Sequence, residues 1–307
     1  MIHLPDHIRA ALAAGQPVVA LESTVISHGL PYPHNLDLAR AMEQEIRAAG
    51  AIPATVGVVR GVPTVGMSDA EIVHFAEAKG VLKLSRRDLG FCVASKRDGA
   101  TTVAASIALA AFAGVQVFAT GGIGGVHRGA RESWDISADL TELARTPVIV
   151  VCAGAKAILD LSATLEYLET AGVPVLGYGT SELPAFYSAE SGFLLTMQVD
   201  TPAEASAVWQ AHRVFGGGSG MLITVPPPAE AALPRTAIDG AIARALMSAN
   251  AAGIRGQAVT PFLLAAVATE TEGESMYTNI ALLRQNAQVA ARIAQALTPA
   301  AESTGNR

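Results

Sequence analysis

Short, continuous apolar runs alternate with longer amphipathic stretches along almost the whole chain. The runs fall at 17–21, 54–59, 115–119, 148–152, 173–177, 193–199 and 220–225, rich in Val, Ile and Leu and without strict polar alternation. A strand that is apolar on both sides is one covered on both faces, so these runs predict a buried central sheet flanked by helices. Between them, 35–49 carries Leu38, Met42 and Ile46 at helical spacing and stops at Gly50. Residues 68–79 open with Ser68-Asp69-Ala70-Glu71, a capping-box pattern, and end before Gly80. Further helices are predicted over 155–171, 202–215, 236–252 and 278–297. The expected architecture is α/β, a three-layer α/β/α sandwich with a mostly parallel or mixed sheet. No repeat or long linker divides the chain, so 1–307 is read as one catalytic domain with a disordered tail from 298.

Composition adds exclusions. Half of the 307 residues are hydrophobic, which rules out disorder as the general state. With a net charge of −6 and 16% charged residues, the chain lacks the clustered Lys and Arg of a nucleic-acid surface. The most membrane-like run, 103–119, is interrupted by Ser106, Gly114 and Gln116 and reads as a buried helix turning at Gly114 into a strand. The first residues lack the basic start and apolar stretch of a signal peptide, so a soluble, cytoplasmic protein is expected. Cys92 and Cys152 lie far apart in apolar surroundings, as buried free thiols rather than a disulfide or metal pair.

Four places put reactive groups just after apolar strands, where layered α/β folds bind ligands. Glu22 follows 18–21 and reads either as a general acid or base or as a loop carboxylate capping a helix. The run Thr120-Gly121-Gly122-Ile123-Gly124-Gly125-Val126-His127 is neither GxGxxG nor a Walker loop; it reads as a small phosphate or sugar loop or as a tight turn. Asp135 and Asp139, four apart, are a hard oxygen pair suited to Mg²⁺ or Mn²⁺ on one helical face, or else helix caps. Lys156, reached from an apolar strand through small residues, is a candidate amine nucleophile or a surface lysine. Lys83 is a phosphate-binding cation or a solvated charge. Together they suggest a phosphorylated small substrate, an amine nucleophile and an acid.

At these residues the chain resembles the pseudouridine-5'-phosphate glycosidase family, also called indigoidine-synthase-A-like. The resemblance rests on VALESTVISHGLPYPHN (19–35), KLSRRDLG (83–90), GATTVAAS (99–106), VFATGGIGGVHRGA (117–130), DISADL (135–140) and VVCAGAKAILDL (150–161). It continues through GYGTSELPAFY, TPFLLAAV and TNIALLRQNA, covering about 18–294 and running loosest over 190–250. It implies reversible cleavage of pseudouridine 5'-phosphate to uracil and ribose 5-phosphate, a divalent metal (typically Mn²⁺) and a homotrimer, with no nucleic-acid or membrane partner. It also implies Lys156 as covalent nucleophile, Glu22 as proton donor, Asp135 as the metal-linked aspartate, and Lys83, Val103, Ser137, Ala138 and Asp139 as substrate contacts. Thr120, His127 and Asn279 are implied as further pocket residues. The chain departs from the pattern at Val225 and Gln285, each where Asn is commoner, which bears on local packing or a peripheral contact. The alternatives are the same chemistry on another C-nucleoside phosphate or pigment precursor, or a non-catalytic sugar-phosphate sensor.

Overall fold

The computed structural model describes residues 2–254 and 259–298, so the predicted disordered tail lies, from 299 on, outside the described residues. The strands are β1 (Val18–Leu21), β2 (Ile52–Val59), β3 (Val62–Val65), β4 (Leu82–Leu84), β5 (Gly99–Thr101) and β6 (Val117–Ala119). They continue as β7 (Val126–His127), β8 (Ile149–Cys152), β9 (Leu159–Asp160), β10 (Val175–Tyr178), β11 (Met197–Val199) and β12 (Met221–Thr224). The first helices are α1 (Asp6–Ala13), α2 (Thr24–His28), α3 (His34–Ala48), α4 (Asp69–Glu77), α5 (Leu89–Ala94) and α6 (Val103–Ala113). After them come α7 (Ala130–Ser133), α8 (Ala138–Leu143), α9 (Leu161–Thr170) and α10 (Pro202–Phe215). The last are α11 (Arg235–Ala251), α12 (Val259–Glu270) and α13 (Glu274–Leu297).

The main sheet runs β11-β10-β12-β8-β6-β1-β2-β5-β4, with β3 pairing β2 off this path. From β11 to β2 every neighbour is parallel. All four residues of β1, β8 and β12 are buried, as continuous apolar runs require. Helix α13 packs across β1, β6 and β8 beside α3 and α10, while α6, joined to α8, packs on β1, β2 and β3. Sheet and flanking helices form the expected three-layer α/β/α sandwich. No described helix is long and apolar enough to cross a membrane. Helix α6 ends where Gly114 turns left-handed (φ +88°), and β6 begins three residues later. Both cysteines are buried free thiols; burial pushes the Cys152 thiol up to about 12, which leaves it inert at neutral pH.

The long strand β2 determines where the site lies. Its first half, Ile52–Thr55, pairs parallel with β1, and its second half pairs antiparallel with β3 and with β5. Strand β5 therefore runs back toward the carboxyl end of β1, and β4 runs parallel to it. Side chains seal the meeting point: Thr101 Oγ1 donates to the Val56 carbonyl at 2.8 Å, and the Thr101 N–H donates to Ser23 Oγ at 2.9 Å. Two groups of strand ends, β1, β6 and β8 on one side and β4 and β5 on the other, converge on one space.

The structure corrects several boundaries. The predicted 155–171 helix begins only at Leu161, because Asp160 accepts the Ala163 N–H as N-cap and the preceding residues form a loop and β9. Of 193–199, only Met197–Val199 is strand. Strand β3 escaped notice because Pro63 argues against a strand, although the Arg60-Gly61 turn, both residues at positive φ, closes a two-residue hairpin. Strands β4 and β5 are three residues each, too short for periodicity to register.

A buried carboxylate fastens α8 to the β4 edge. Glu142, 1% exposed at its side chain, accepts from Arg86, from Arg145 Nη2 at 2.7 Å and from Thr146 Oγ1 at 2.5 Å. Both arginines are about half exposed, so the carboxylate is the costly member to lose. Glu142→Ala is expected to lower stability by about 1–3 kcal/mol, read as a lower urea midpoint at unchanged slope. Arg86→Ala should cost under about 1 kcal/mol. Equal effects would contradict this reading.

Candidate active site

A cavity of about 480 Å³ opens where the two groups of strand ends converge. Glu22, Lys83, Val103, Thr120, His127, Asp135, Ser137, Ala138, Asp139, Lys156 and Asn279 all line it. The sequence pattern scattered these residues over some 250 positions, and the strand ends bring them together.

Glu22 sits at the floor, directly beyond β1, and is 8% exposed. Thr120, directly beyond β6, donates its hydroxyl to Glu22 Oε1. Thr120 is held in turn by Asn286, whose Nδ2 donates to the Thr120 carbonyl at 2.8 Å. Burial raises the Glu22 pKa above the ordinary carboxylate value, outweighing the nearby Lys156 charge and the Thr120 bond. A carboxyl whose neutral form is favoured by burial is equipped to donate a proton.

Lys156 lies on the loop after β8, not on the predicted helix. Its N–H donates to the Ile123 carbonyl at 3.1 Å, and the Ile123 N–H donates to the Gly154 carbonyl at 3.1 Å. This exchange clamps the lysine loop to the glycine run. The glycines serve close approach: a Cβ on Gly122 would lie 2.6 Å from the Phe186 ring, and one on Gly124 would lie 2.2 Å from Ser137 Oγ. Backbone donors at the end of the run are occupied. The Gly124 N–H donates to Asp139 Oδ2 at 2.8 Å, Val126 N–H to Thr164 and His127 N–H to the Asp135 carbonyl. The run is thus a packed turn that fixes Lys156, and its Gly121, Gly122 and Gly124 line the cavity.

Asp139 and Asp135 do not share a helical face. Asp139 is in α8, 6% exposed, and its other oxygen accepts the Ala104 N–H at 2.9 Å, near the start of α6. Its carboxylate therefore ties α6 to the glycine run. Asp135 precedes α8 on an extended segment, with Oδ2 3.8 Å from His127 Nδ1. No group of three metal-binding side chains occurs among the described residues. Asp135, cavity-facing and partly exposed, fits a hard divalent ion held by one carboxylate and completed by water and substrate.

The two ends of the cavity differ. At one end Lys83 and Arg87 join His28, Thr24, Ser85 and Thr102. There Thr24 Oγ1, His28 Nε2, Ser85 Oγ and Thr102 Oγ1 are buried without a hydrogen-bond partner, and such orphans call for a polar ligand. The Lys83 pKa is lowered by burial and then by Lys156, and opposed by Glu22 and Asp139; that of His28 is lowered by burial and by Lys83. At the other end stand His127, Trp134, Asp135 and Ile136, and Asn279 lies beside Gly121. The His127 pKa is lowered by burial, opposed by Asp135 and assisted by Lys156. Lys156 lines the same cavity within electrostatic reach of Glu22, Lys83 and His127.

The sequence pattern assigned no role to Ser85, Thr102, Phe186 or Asn286, and marked His28 only as following Glu22. All five sit inside quoted motifs, and Asn279, Leu283 and Asn286 share a helical face at i, i+4, i+7, which was a usable signal. Phe186 is the penultimate residue of the quoted GYGTSELPAFY and lies in the left-handed region at φ +63°. The two departures prove to be neighbours: Gln285 Nε2 donates to the Pro226 carbonyl at 3.0 Å, one residue from buried Val225, and neither lines the cavity.

The sequence profile of the family described as "Indigoidine synthase A like protein" matches residues 7–296. A protein of Herpetosiphon aurantiacus named pseudouridine-5'-phosphate glycosidase is 65% identical over 96% of this chain and 97% of its own length. One of the same name from Roseiflexus sp. is 67% identical over 96% of each. Among solved structures, the prealnumycin C-glycosynthase AlnA in complex with ribulose 5-phosphate superposes with a TM-score of 0.90 at 41% identity, covering 97% of each chain. An indigoidine synthase A-like protein of Thermotoga maritima gives 0.86 at 34% identity, covering 92% of this chain and 94% of its own.

Asp139→Ala would leave two buried N–H groups without an acceptor and is expected to cost about 2–4 kcal/mol in denaturant unfolding. Asp135→Ala should stay within about 0.5 kcal/mol. For Glu22 the folded pKa is raised, so its contribution is fully present below the unfolded value and is lost as pH rises through the folded value. Glu22→Gln should therefore raise the melting temperature relative to wild type at pH 8 more than at pH 5. The opposite order would contradict the burial account.

Proposed function

The chain belongs to the indigoidine synthase A like protein family, and on that premise we propose that it cleaves the C–C glycosidic bond of pseudouridine 5'-phosphate, reversibly giving uracil and ribose 5-phosphate. The observation that carries this reading is the position of Lys156: one amine in a cavity with a buried carboxylic acid, within electrostatic reach of Lys83, at the end rich in cations and orphan donors, and of His127 at the other. The phosphate lies with Lys83, Arg87, Ser85, His28 and the start of α6, where Val103 contributes its backbone, since its side chain is buried. Remote binding there holds C1' against Lys156.

Carbon is a poor leaving group, so protonating a heteroatom, as in ordinary glycosides, does not suffice. Glu22 protonates O4' as the C1'–O4' bond breaks and the ribose opens, and the Lys156 amine bonds C1' through its nitrogen lone pair. The Glu22 carboxylate takes a proton from the new C1'–N ammonium and passes it to uracil C5; the C1'–C5 pair then departs with uracil while the freed nitrogen lone pair forms the C1'=N bond. Water hydrolyses that Schiff base to release ribose 5-phosphate and the amine. Thr120 aims the Glu22 carboxyl, and Ser137 and Ala138 bound the pocket beside Asp139. A divalent ion such as Mn²⁺ at Asp135 would polarise or orient the substrate. In this reading the protein is cytosolic, in keeping with its two free thiols. It assembles as a homotrimer, for which exposed Phe112, Val214 and Phe215 offer apolar surface.

The test is uracil release from pseudouridine 5'-phosphate by the purified protein with Mn²⁺. Lys156→Ala should lower kcat by at least about 10³-fold, and unphosphorylated pseudouridine should react at least about 100-fold less efficiently. Activity should fall as pH rises through the raised Glu22 pKa, and that limb should be absent from the residual activity of Glu22→Gln. No turnover by folded wild type, or wild-type rates in Lys156→Ala, would overturn the proposal.

A further inference from the structure

The chain's two tryptophans occupy opposite environments. Trp209 is 1% exposed, its indole N–H donating to Gln116 Oε1 at 3.3 Å. Trp134 is 82% exposed and yet lines the cavity. Its backbone ends α7 in the left-handed region at φ +56° and ψ 23°, a conformation that bulky residues rarely adopt. The segment around it is closed at the base, where the His127 N–H donates to the Asp135 carbonyl at 3.0 Å and Val126 bridges Ile136. A large aromatic face is thus held at the cavity mouth, one residue from Asp135, where it forgoes the burial an indole ordinarily finds.

Trp134 belongs to the end opposite the phosphate cluster. Its cavity neighbours Asp135 and Ile136 pack on β7, with Asp135 3.8 Å from His127 and Ile136 bridging Val126; β7 pairs with β9 after β8, whereas Lys83 stands on β4 at the far edge of the main sheet. A ligand with phosphate at Lys83 and C1' at Lys156 projects its heterocycle toward this end. We propose that Trp134 recognises the base: its indole face stacks on the uracil ring, and it is a specificity-determining residue for a flat heterocycle at C1'. Resting on the activity proposed above, this assigns the division of labour within the site. Stacking holds any ring of suitable size, and the edge contacts of His127 and Asn279 select among rings.

The experiment runs the reaction in the synthetic direction and varies uracil and ribose 5-phosphate separately. Trp134→Ala should raise the KM for uracil about 10-fold or more, at least about 1.4 kcal/mol of lost binding, and leave the KM for ribose 5-phosphate unchanged. Trp134→Phe, which keeps an aromatic face, should recover most of the loss. In parallel, adding uracil to the wild type should quench indole emission, and the response should vanish in Trp134→Phe, where buried Trp209 is the remaining fluorophore. Wild-type turnover with an unchanged uracil KM in Trp134→Ala, or equal rises in both KM values, overturns this assignment and leaves the activity standing. Emission that follows protein concentration instead of uracil overturns it in favour of a subunit contact. Absence of wild-type turnover overturns the activity and the assignment together.

Discussion

The Asp139 carboxylate, buried and shared between the Ala104 and Gly124 N–H groups, is the constraint on which the site depends. The two donors come from different parts of the sheet. Ala104 follows β5, which runs antiparallel to the second half of β2, and Gly124 follows β6 in the parallel part. Without an acceptor between them, two buried N–H groups would lack partners and the convergence of strand ends would open. Because charge-assisted bonds to a carboxylate are short and strong, the tie sets both the start of α6 and the course of the glycine run. Through the exchange of bonds between Ile123, Gly154 and Lys156, it also sets the position of the lysine.

The electrostatics follow from that geometry. Glu22, Lys83, His28 and His127 are drawn into a space too apolar to favour their charged forms, and each is displaced in the direction burial dictates. Lys156 opposes burial at Glu22 and reinforces it at Lys83 and His127. One amine thereby biases an acid toward ionisation and two bases toward neutrality. Folded stability is lower for it, since orphan polar atoms and an uneasy carboxyl are kept for a ligand instead of a core.

The sequence was legible wherever burial on two faces enforced a continuous apolar run, as in β1, β8 and β12, and wherever capping chemistry was explicit, as at Ser68 and Gly114. It was illegible for β4 and β5, whose three residues hold no period, although they deliver Lys83 and Thr102. The helix expected from 155 failed because Ala, Leu and Lys favour helix locally while the bonds of Lys156 to Ile123 hold the chain extended. Spacing suggested a paired site at Asp135 and Asp139, and tertiary structure separated them, giving one to backbone donors and leaving the other toward the cavity. Residue types at strand ends identified the candidate chemistry; the pairing partners of each polar group became readable only from the fold.

In the proposed reaction Lys156 becomes covalently joined to C1' of the sugar. The most direct test of that bond is borohydride reduction during incubation with ribose 5-phosphate, followed by peptide mass spectrometry. A reduced pentose-phosphate adduct on the peptide carrying Lys156, absent from Lys156→Ala, is the predicted result. Turnover with no adduct at that lysine, or an adduct that persists in Lys156→Ala, would contradict the claim.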